Sequence, residues 1–311
     1  MKSFLYKILL FLLPAWCVLT ICDYFFSEMV KKSSYFHILN WYDLMHGKID
    51  ANAVIMGNSR AWVQIDPVIL DSILGWNTYN LGLDASPINR QVKKYNLFSV
   101  YNKRPQLIIQ NIDFSSLGYS VGYEREQFFP YFWEKPMRDE LFPSEPFSIW
   151  EEYVPMYRYY HNFTLGILYC VLTNTSNSLS KGYQGQEKQW DGTGYKNVKT
   201  IKFASNDTTL MIFDKYLAAR KAEGVKVIFV YSPLYIGATK KIENLQEMRN
   251  TYQQYADKYE IPVLDYTYMN ICYDTAYFFN AMHLNKTGAE IFSDTLANDI
   301  KRLGIINGIL E

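Results

Sequence analysis

Two short stretches far apart in the chain hold the residue types that cleave esters. The first, Val54-Ile55-Met56-Gly57-Asn58-Ser59-Arg60-Ala61-Trp62, passes from aliphatic residues through a glycine into a serine. A serine that ends a buried strand and starts a helix lies near unpaired backbone N–H groups, which either cap the helix or hold an oxyanion. Taken alone, capping is the simpler role, because Asn58 and Ser59 are both ordinary cap residues. The stretch is also not a G-x-S-x-G nucleophile elbow, since Ala61 stands where the last glycine would be. The second stretch, Phe278-Phe279-Asn280-Ala281-Met282-His283-Leu284-Asn285-Lys286-Thr287-Gly288-Ala289, puts a histidine just before a helix start. A parallel sheet brings that loop beside the loop after the first strand, so Ser59 and His283 can meet as nucleophile and general base. Metal chemistry has no comparable signature. None of His37, His46, His161 and His283 stands at helical spacing from another or beside a Cys-x-x-Cys, and no cofactor is expected.

The elements that must position this pair alternate. Ala53 to Met56, Thr78 to Leu81, Gln106 to Gln110, Val225 to Tyr231 and Ile261 to Leu264 read as short buried strands. Between them, residues 87–103, 208–222 and 240–259 read as helices, and residues 287–303 close the chain as another. Strands separated by helices of this length predict a three-layer α/β/α fold around a parallel, flavodoxin-like sheet, with chemistry at the strand ends.

The N-terminus differs in kind. Ile8 to Cys22 is an uncharged apolar run that stops at Asp23, with Tyr24-Phe25-Phe26 beyond it. It is shorter than the roughly 20 residues of a typical span, although Phe4, Leu5 and the later aromatics extend it. No A-x-A site follows and bulky Trp16 precedes Cys17, which favours an uncleaved anchor over a cleaved signal. The expected organisation is an anchor or uncleaved signal segment at 1–26, a stem helix at 27–49 and a globular domain at 50–311. That domain carries a helical or irregular insertion at about 114–207. Orientation rests on similarity to signal anchors, with the body outside the cytoplasm.

Of the chain's 311 residues, 49% are hydrophobic and 17% aromatic, enough for one large core. Its 31 basic and 31 acidic residues cancel without long runs of either sign, so nucleic acid is not an expected partner. Cys170 and Cys272, the two cysteines outside the apolar segment, cannot be paired from sequence. The insertion runs through Phe128, Phe129, Tyr131, Phe132, Trp133, Trp150, Tyr153, Tyr157, Tyr159 and Tyr160. Its rings suit either a lid that stacks on sugars or a helical cap packed on the sheet.

Gly57-Asn58-Ser59-Arg60, Asn80-Leu81-Gly82, Asn111-Ile112-Asp113, and His283-Leu284-Asn285 with Thr287-Gly288-Ala289 occur in the order and positions of four sequence blocks. Together they resemble the SGNH/GDSL hydrolase superfamily, in particular its membrane-anchored bacterial branch, over most of residues 50–303 outside the insertion. The resemblance implies Ser59 as nucleophile, His283 as general base, and an oxyanion hole from the N–H groups of Ser59 and Gly82 with the side chain of Asn111. The third block is not the usual G-x-N-D, so Asp113 is an alternative site-facing residue. The family places an aspartate three residues before the histidine, and here that residue is Asn280. Either Asn280 orients a Ser-His dyad, or another carboxylate such as Asp274 substitutes, or activity is lost. The implied function is an extracytoplasmic, membrane-anchored serine esterase or O-acyltransferase acting on acyl groups, acetyl foremost, of a cell-surface polysaccharide. The alternative is a weak or inactive relative that binds glycan or a membrane acyl-transfer partner. The implied partners are an acylated carbohydrate, the membrane through residues 8–26, and a membrane acyl-transfer protein.

Overall fold

The strand-forming runs are apolar on both faces, as strands covered by helices on both sides must be. In a computed structural model, which describes residues 2–32, 36–119, 125–143, 147–160, 179–193 and 200–305, β1 (Ala53–Met56) and β3 (Leu107–Asn111) are buried at every position. With β2 (Thr78–Asn80), β4 (Lys226–Tyr231) and β5 (Val263–Asp265) they form a five-stranded sheet in the order β2-β1-β3-β4-β5, parallel throughout. This is the flavodoxin-like order expected, and the strand order reverses at β1, beside β3.

The chain divides into two compact units, residues 1–46 with 122–178, and residues 47–121 with 179–311. The sheet belongs to the second. On one face of the sheet, Ala53, Ile55, Leu107, Ile109, Ile228 and Val230 share a core with Leu70, Phe292, Leu296 and Ile300. These come from α4 (Pro67–Leu74) and the last helix, α11 (Lys286–Arg302), while α3 (Ser59–Gln64) contributes Ala61. On the other face lie α5 (Ile88–Tyr101), α9 (Asp207–Ala222) and α10 (Leu245–Tyr259), with Phe213 of α9 stacked on Phe229 at 5.8 Å. The third expected helix starts later than the sequence suggests, because Ile236–Thr239 forms a separate turn before it.

Between β5 and α11 the sequence gives no sign of a further sheet, yet β6 (Phe278–Asn280) and β7 (His283–Leu284) form a small antiparallel hairpin. A strap from the end of the expected insertion braces it. The Trp190 backbone N–H donates to the Phe278 carbonyl at 2.8 Å, and the Lys286 backbone N–H donates to the Gln186 carbonyl at 2.8 Å. Tyr183 and Trp190 join the core of the second unit, so the stretch 114–207 is divided between the two units.

The first unit is built around α1 (Lys2–Lys31), which is continuous through Asp23 and through the boundary expected at residue 26. It also holds α2 (Phe36–Met45), a 3-10 turn at Arg125–Tyr131, α6 (Lys135–Leu141), α7 (Ile149–Tyr153) and α8 (Tyr157–Tyr160). Trp41, Phe128, Phe129, Tyr131, Phe132 and Tyr159 are buried there, whereas Trp133, Trp150, Tyr153 and Tyr160 are exposed. The insertion's rings therefore split between packing and exposure. Among the described residues α1 is the one helix long and apolar enough to cross a membrane. His161 and Cys170 lie outside the described residues.

Candidate active site

Gly57 makes the turn from β1 into α3 possible. A Cβ there would stand 2.6 Å from the Ala61 Cβ and 2.8 Å from the Asn111 Cβ, so a side chain would force the helix off the strand end. The cap of α3 is Asn58, whose side chain accepts the Arg60 N–H at 3.1 Å. With that role filled, the hydroxyl of Ser59 is available, and its Oγ lies 2.9 Å from His283 Nε2. The Ser59 backbone N–H carries no hydrogen bond among the described residues, as expected in the first turn of a helix.

His283 is set by the turn of its hairpin. Asn280 Oδ1 accepts the N–H groups of Met282 at 2.8 Å and His283 at 3.0 Å, which orients the amide without ambiguity. The same oxygen is 3.1 Å from His283 Nδ1. Since Oδ1 can only accept, Nδ1 carries the proton and Nε2 is left to accept from Ser59 Oγ. Burial pushes the imidazole down to about 4, and the Arg60 charge adds to this, against weaker opposing fields from Asp84 and Asp113. At neutral pH the ring is therefore an uncharged base.

Asp113 is buried and fully engaged. Its Oδ2 accepts from Arg60 Nε at 3.2 Å, forms an ion pair with Arg60 at 2.8 Å and accepts from Asn58 Nδ2. Its Oδ1 accepts from the Ser115 N–H at 2.7 Å and from the hydroxyls of Ser115 and Ser116. Burial would raise this carboxyl, but the charge and hydrogen bonds of Arg60 and the bonds from Ser115 hold it below the ordinary range. An ionised acceptor cannot donate to an oxyanion, so Asp113 acts by fixing Asn58 and Arg60 around Ser59. That ion pair is a part of the site the sequence did not reveal, although Asp113 stood there as an alternative site-facing residue.

The amide of Gly82, expected in the oxyanion hole, and the carboxylate of Asp274, an alternative partner for His283, are both engaged elsewhere. Gly82 does not offer its amide to the site, because that N–H donates to Asn80 Oδ1 at 2.8 Å. Its lack of a side chain serves packing: a Cβ would meet the Trp62 backbone nitrogen at 2.5 Å. Asp274 does not reach His283; its carboxylate caps the turn at Ala276 N–H, 2.9 Å away. Asn111 lies at the end of β3 against Gly57, completely buried, and neither atom of its amide has a hydrogen-bond partner among the described residues. In the loop that holds Gly82, Ala85 has a left-handed backbone at φ 44°, and its N–H meets the carboxylate of its own neighbour Asp84 at 2.9 Å. Among the described residues no cluster of three or more His, Cys, Asp or Glu side chains is gathered as a metal site.

The arrangement can activate a hydroxyl and receive its proton at the crevice of a parallel sheet. No protein-family model and no curated protein sequence matches the chain. Its fold is similar to that of a GDSL-like lipase from Bacteroides thetaiotaomicron, with 12% identity over 80% of this chain and 88% of that one and a TM-score of 0.38. It is also similar to that of a carbohydrate acetylesterase family member from Sinorhizobium meliloti, with 10% identity over 82% and 98% of the two chains and a TM-score of 0.41.

Proposed function

We propose that this chain is an SGNH-type serine esterase or O-acyltransferase, anchored in the membrane with its body outside the cytoplasm. The observation that carries the proposal is the aligned set Ser59 Oγ, His283 Nε2 and Nδ1, and Asn280 Oδ1, at 2.9 and 3.1 Å. In the proposed reaction Ser59 Oγ attacks the acyl carbonyl carbon while its proton passes to Nε2. The oxyanion is met by the Ser59 N–H and by the Ala85 N–H, once that amide turns from Asp84 to the substrate; Asn111 is the side-chain donor proposed alongside. When the tetrahedral species collapses, the C–O bond to the leaving alcohol breaks and the alcohol takes the proton back from Nε2. Water or an acceptor hydroxyl then attacks the acyl-serine, gives its proton to Nε2, and releases Ser59, which recovers it.

The substrate proposed is an O-acylated carbohydrate of the cell surface, with acetyl the foremost acyl group by resemblance to the family. The apolar α1, which would hold the body at a membrane, and the resemblance of the four sequence blocks support it. A second reading has one observation in its favour. Asn280 carries no charge to stabilise an imidazolium, and in a serine triad loss of that charge lowers turnover by about 10⁴. On this reading the protein binds glycan or an acyl-transfer partner and turns over esters poorly.

The deciding experiment is labelling of the full-length protein with a fluorophosphonate, paired with hydrolysis of p-nitrophenyl acetate. Label on Ser59 and turnover lost in Ser59→Ala are expected. A native, correctly folded protein that takes neither label nor ester would favour the binding reading.

A further inference from the structure

The first unit carries an apolar surface that the proposed chemistry leaves unexplained. In α7 no residue is buried, and Ile149, Trp150 and Tyr153 are 73%, 62% and 66% exposed. Its two acids do not share that surface freely: Glu151 pairs with Arg125 and Glu152 with Arg138, at 3.5 and 3.3 Å. Paired carboxylates lower the cost of leaving bulk water, and the aromatic side chains are what α7 presents outward.

Two contacts set the level of α7 along α1. Trp16 of α1 donates its indole N–H to the Tyr153 carbonyl at 3.1 Å. Seven residues further on, Asp23 is buried and held by Arg158 of α8, with Arg158 Nη1 at 2.7 Å from its carboxylate and the Met156 N–H at 2.8 Å. Seven residues are about 10 Å of helix rise. Asp23 ends the uncharged apolar run of α1, and the Trp16 contact places α7 about two turns back along that run. On the same side Leu12, Leu13 and Leu19 of α1 are exposed around Trp16. At 30 residues α1 is about 45 Å long, more than the ~30 Å hydrocarbon core, so part of it stands outside the core or is taken up by tilt.

We infer that α7 lies in the headgroup layer of the bilayer that α1 crosses, with Ile149, Trp150 and Tyr153 inserted beside Trp16. This inference rests on the anchor reading above. Its occupant is phospholipid, because the surface continues that of an apolar helix about 10 Å along α1 from the charged Asp23, a distance that matches the reach of interfacial helices into the headgroup layer. Trp and Tyr are the residues that favour this layer, having an apolar body and a polar edge. The consequence is a first unit fixed at the membrane at two points, by α1 and by α7.

The test uses full-length protein in phosphatidylcholine–phosphatidylglycerol nanodiscs containing a phospholipid with a diazirine close to the acyl carbonyl. After irradiation, adducts are expected on residues 149–154 as well as on α1. The double variant Trp150→Ser/Tyr153→Ser should lose adducts on α7 several-fold, with labelling of α1 and Ser59-dependent hydrolysis of p-nitrophenyl acetate unchanged. Adducts on α1 with none on 149–154 would overturn the inference and leave the anchor standing. A shortened, soluble protein lacking α1 would overturn both. Should α7 escape lipid labelling while an acetylated cello-oligosaccharide quenches Trp150 emission, the surface is a sugar platform and the inference is again overturned.

Discussion

His283 works between two unlike neighbours. Arg60 and burial keep the ring uncharged, with its acidity near 4, while Asn280 fixes the tautomer without supplying charge. In the proposed reaction a neutral imidazole is the active base, so kcat/KM for a soluble acyl ester should rise with pH through an inflection near 4 and stay flat from about 5 to 8. A rate profile with its acid limb near the ordinary histidine value of about 6.5 would show that Arg60 and burial do not act as inferred. Asn280→Asp adds the missing negative charge beside Nδ1, which favours the imidazolium. The acid limb should move upward and turnover should increase, within the ~10⁴ bound set by the reverse change in a serine triad. Ser59→Ala should be inactive in both backgrounds. An unchanged limb and rate in Asn280→Asp would remove residue 280 from the orienting role.

At the scale of elements, the site depends on how closely α3 follows β1 and on what holds the end of β3 against it. Gly57→Ala puts a methyl within 2.6 Å of the Ala61 Cβ. The expected cost is about 1–3 kcal/mol of stability by overpacking, partly recovered in Gly57→Ala/Ala61→Gly, as measured by urea unfolding. Arg60 and Asp113 tie the same two elements through a buried pair. Arg60→Met strands a buried carboxylate and should cost about 3–5 kcal/mol, whereas Arg60→Met/Asp113→Asn, which removes the charge and keeps an acceptor for Ser115 and Ser116, should recover part of it. Equal loss in the single and double variants would mean that Asp113 is not charged in the fold.

For the whole molecule, α1 is a wall of the first unit as well as its proposed membrane segment. Asp23 and Arg158 are 135 positions apart in sequence and buried together. A protein starting at residue 27 should therefore leave the Arg158 guanidinium without its carboxylate and lose amide protection across residues 125–143 and 147–160, while one starting at residue 20 keeps it. Hydrogen exchange on the two forms, in detergent, checks this. Equal protection would show that the Asp23 clamp is not needed for the first unit.

Much of this was legible in the sequence, for a local reason. Runs such as Ala53-Val54-Ile55-Met56 and Leu107-Ile108-Ile109 are short, apolar and bounded by polar residues, so strand positions and their alternation with helices follow from the pattern alone, and with them a parallel sheet. The placement of a serine just after the first strand and a histidine just before the last helix also follows from chain order. What hydrogen bonds decide was not legible. Two adjacent cap residues leave open which one caps, and only the folded turn assigns the cap to Asn58 and frees Ser59. Asn80-Leu81-Gly82 does not say where an amide points, and the fold turns the Gly82 N–H onto Asn80. The hairpin that presents His283 is too short to leave a period. Arg60 with Asp113, and Asp23 with Arg158, join residues far apart in the chain, and a charge does not announce its buried partner until tertiary packing excludes water from both.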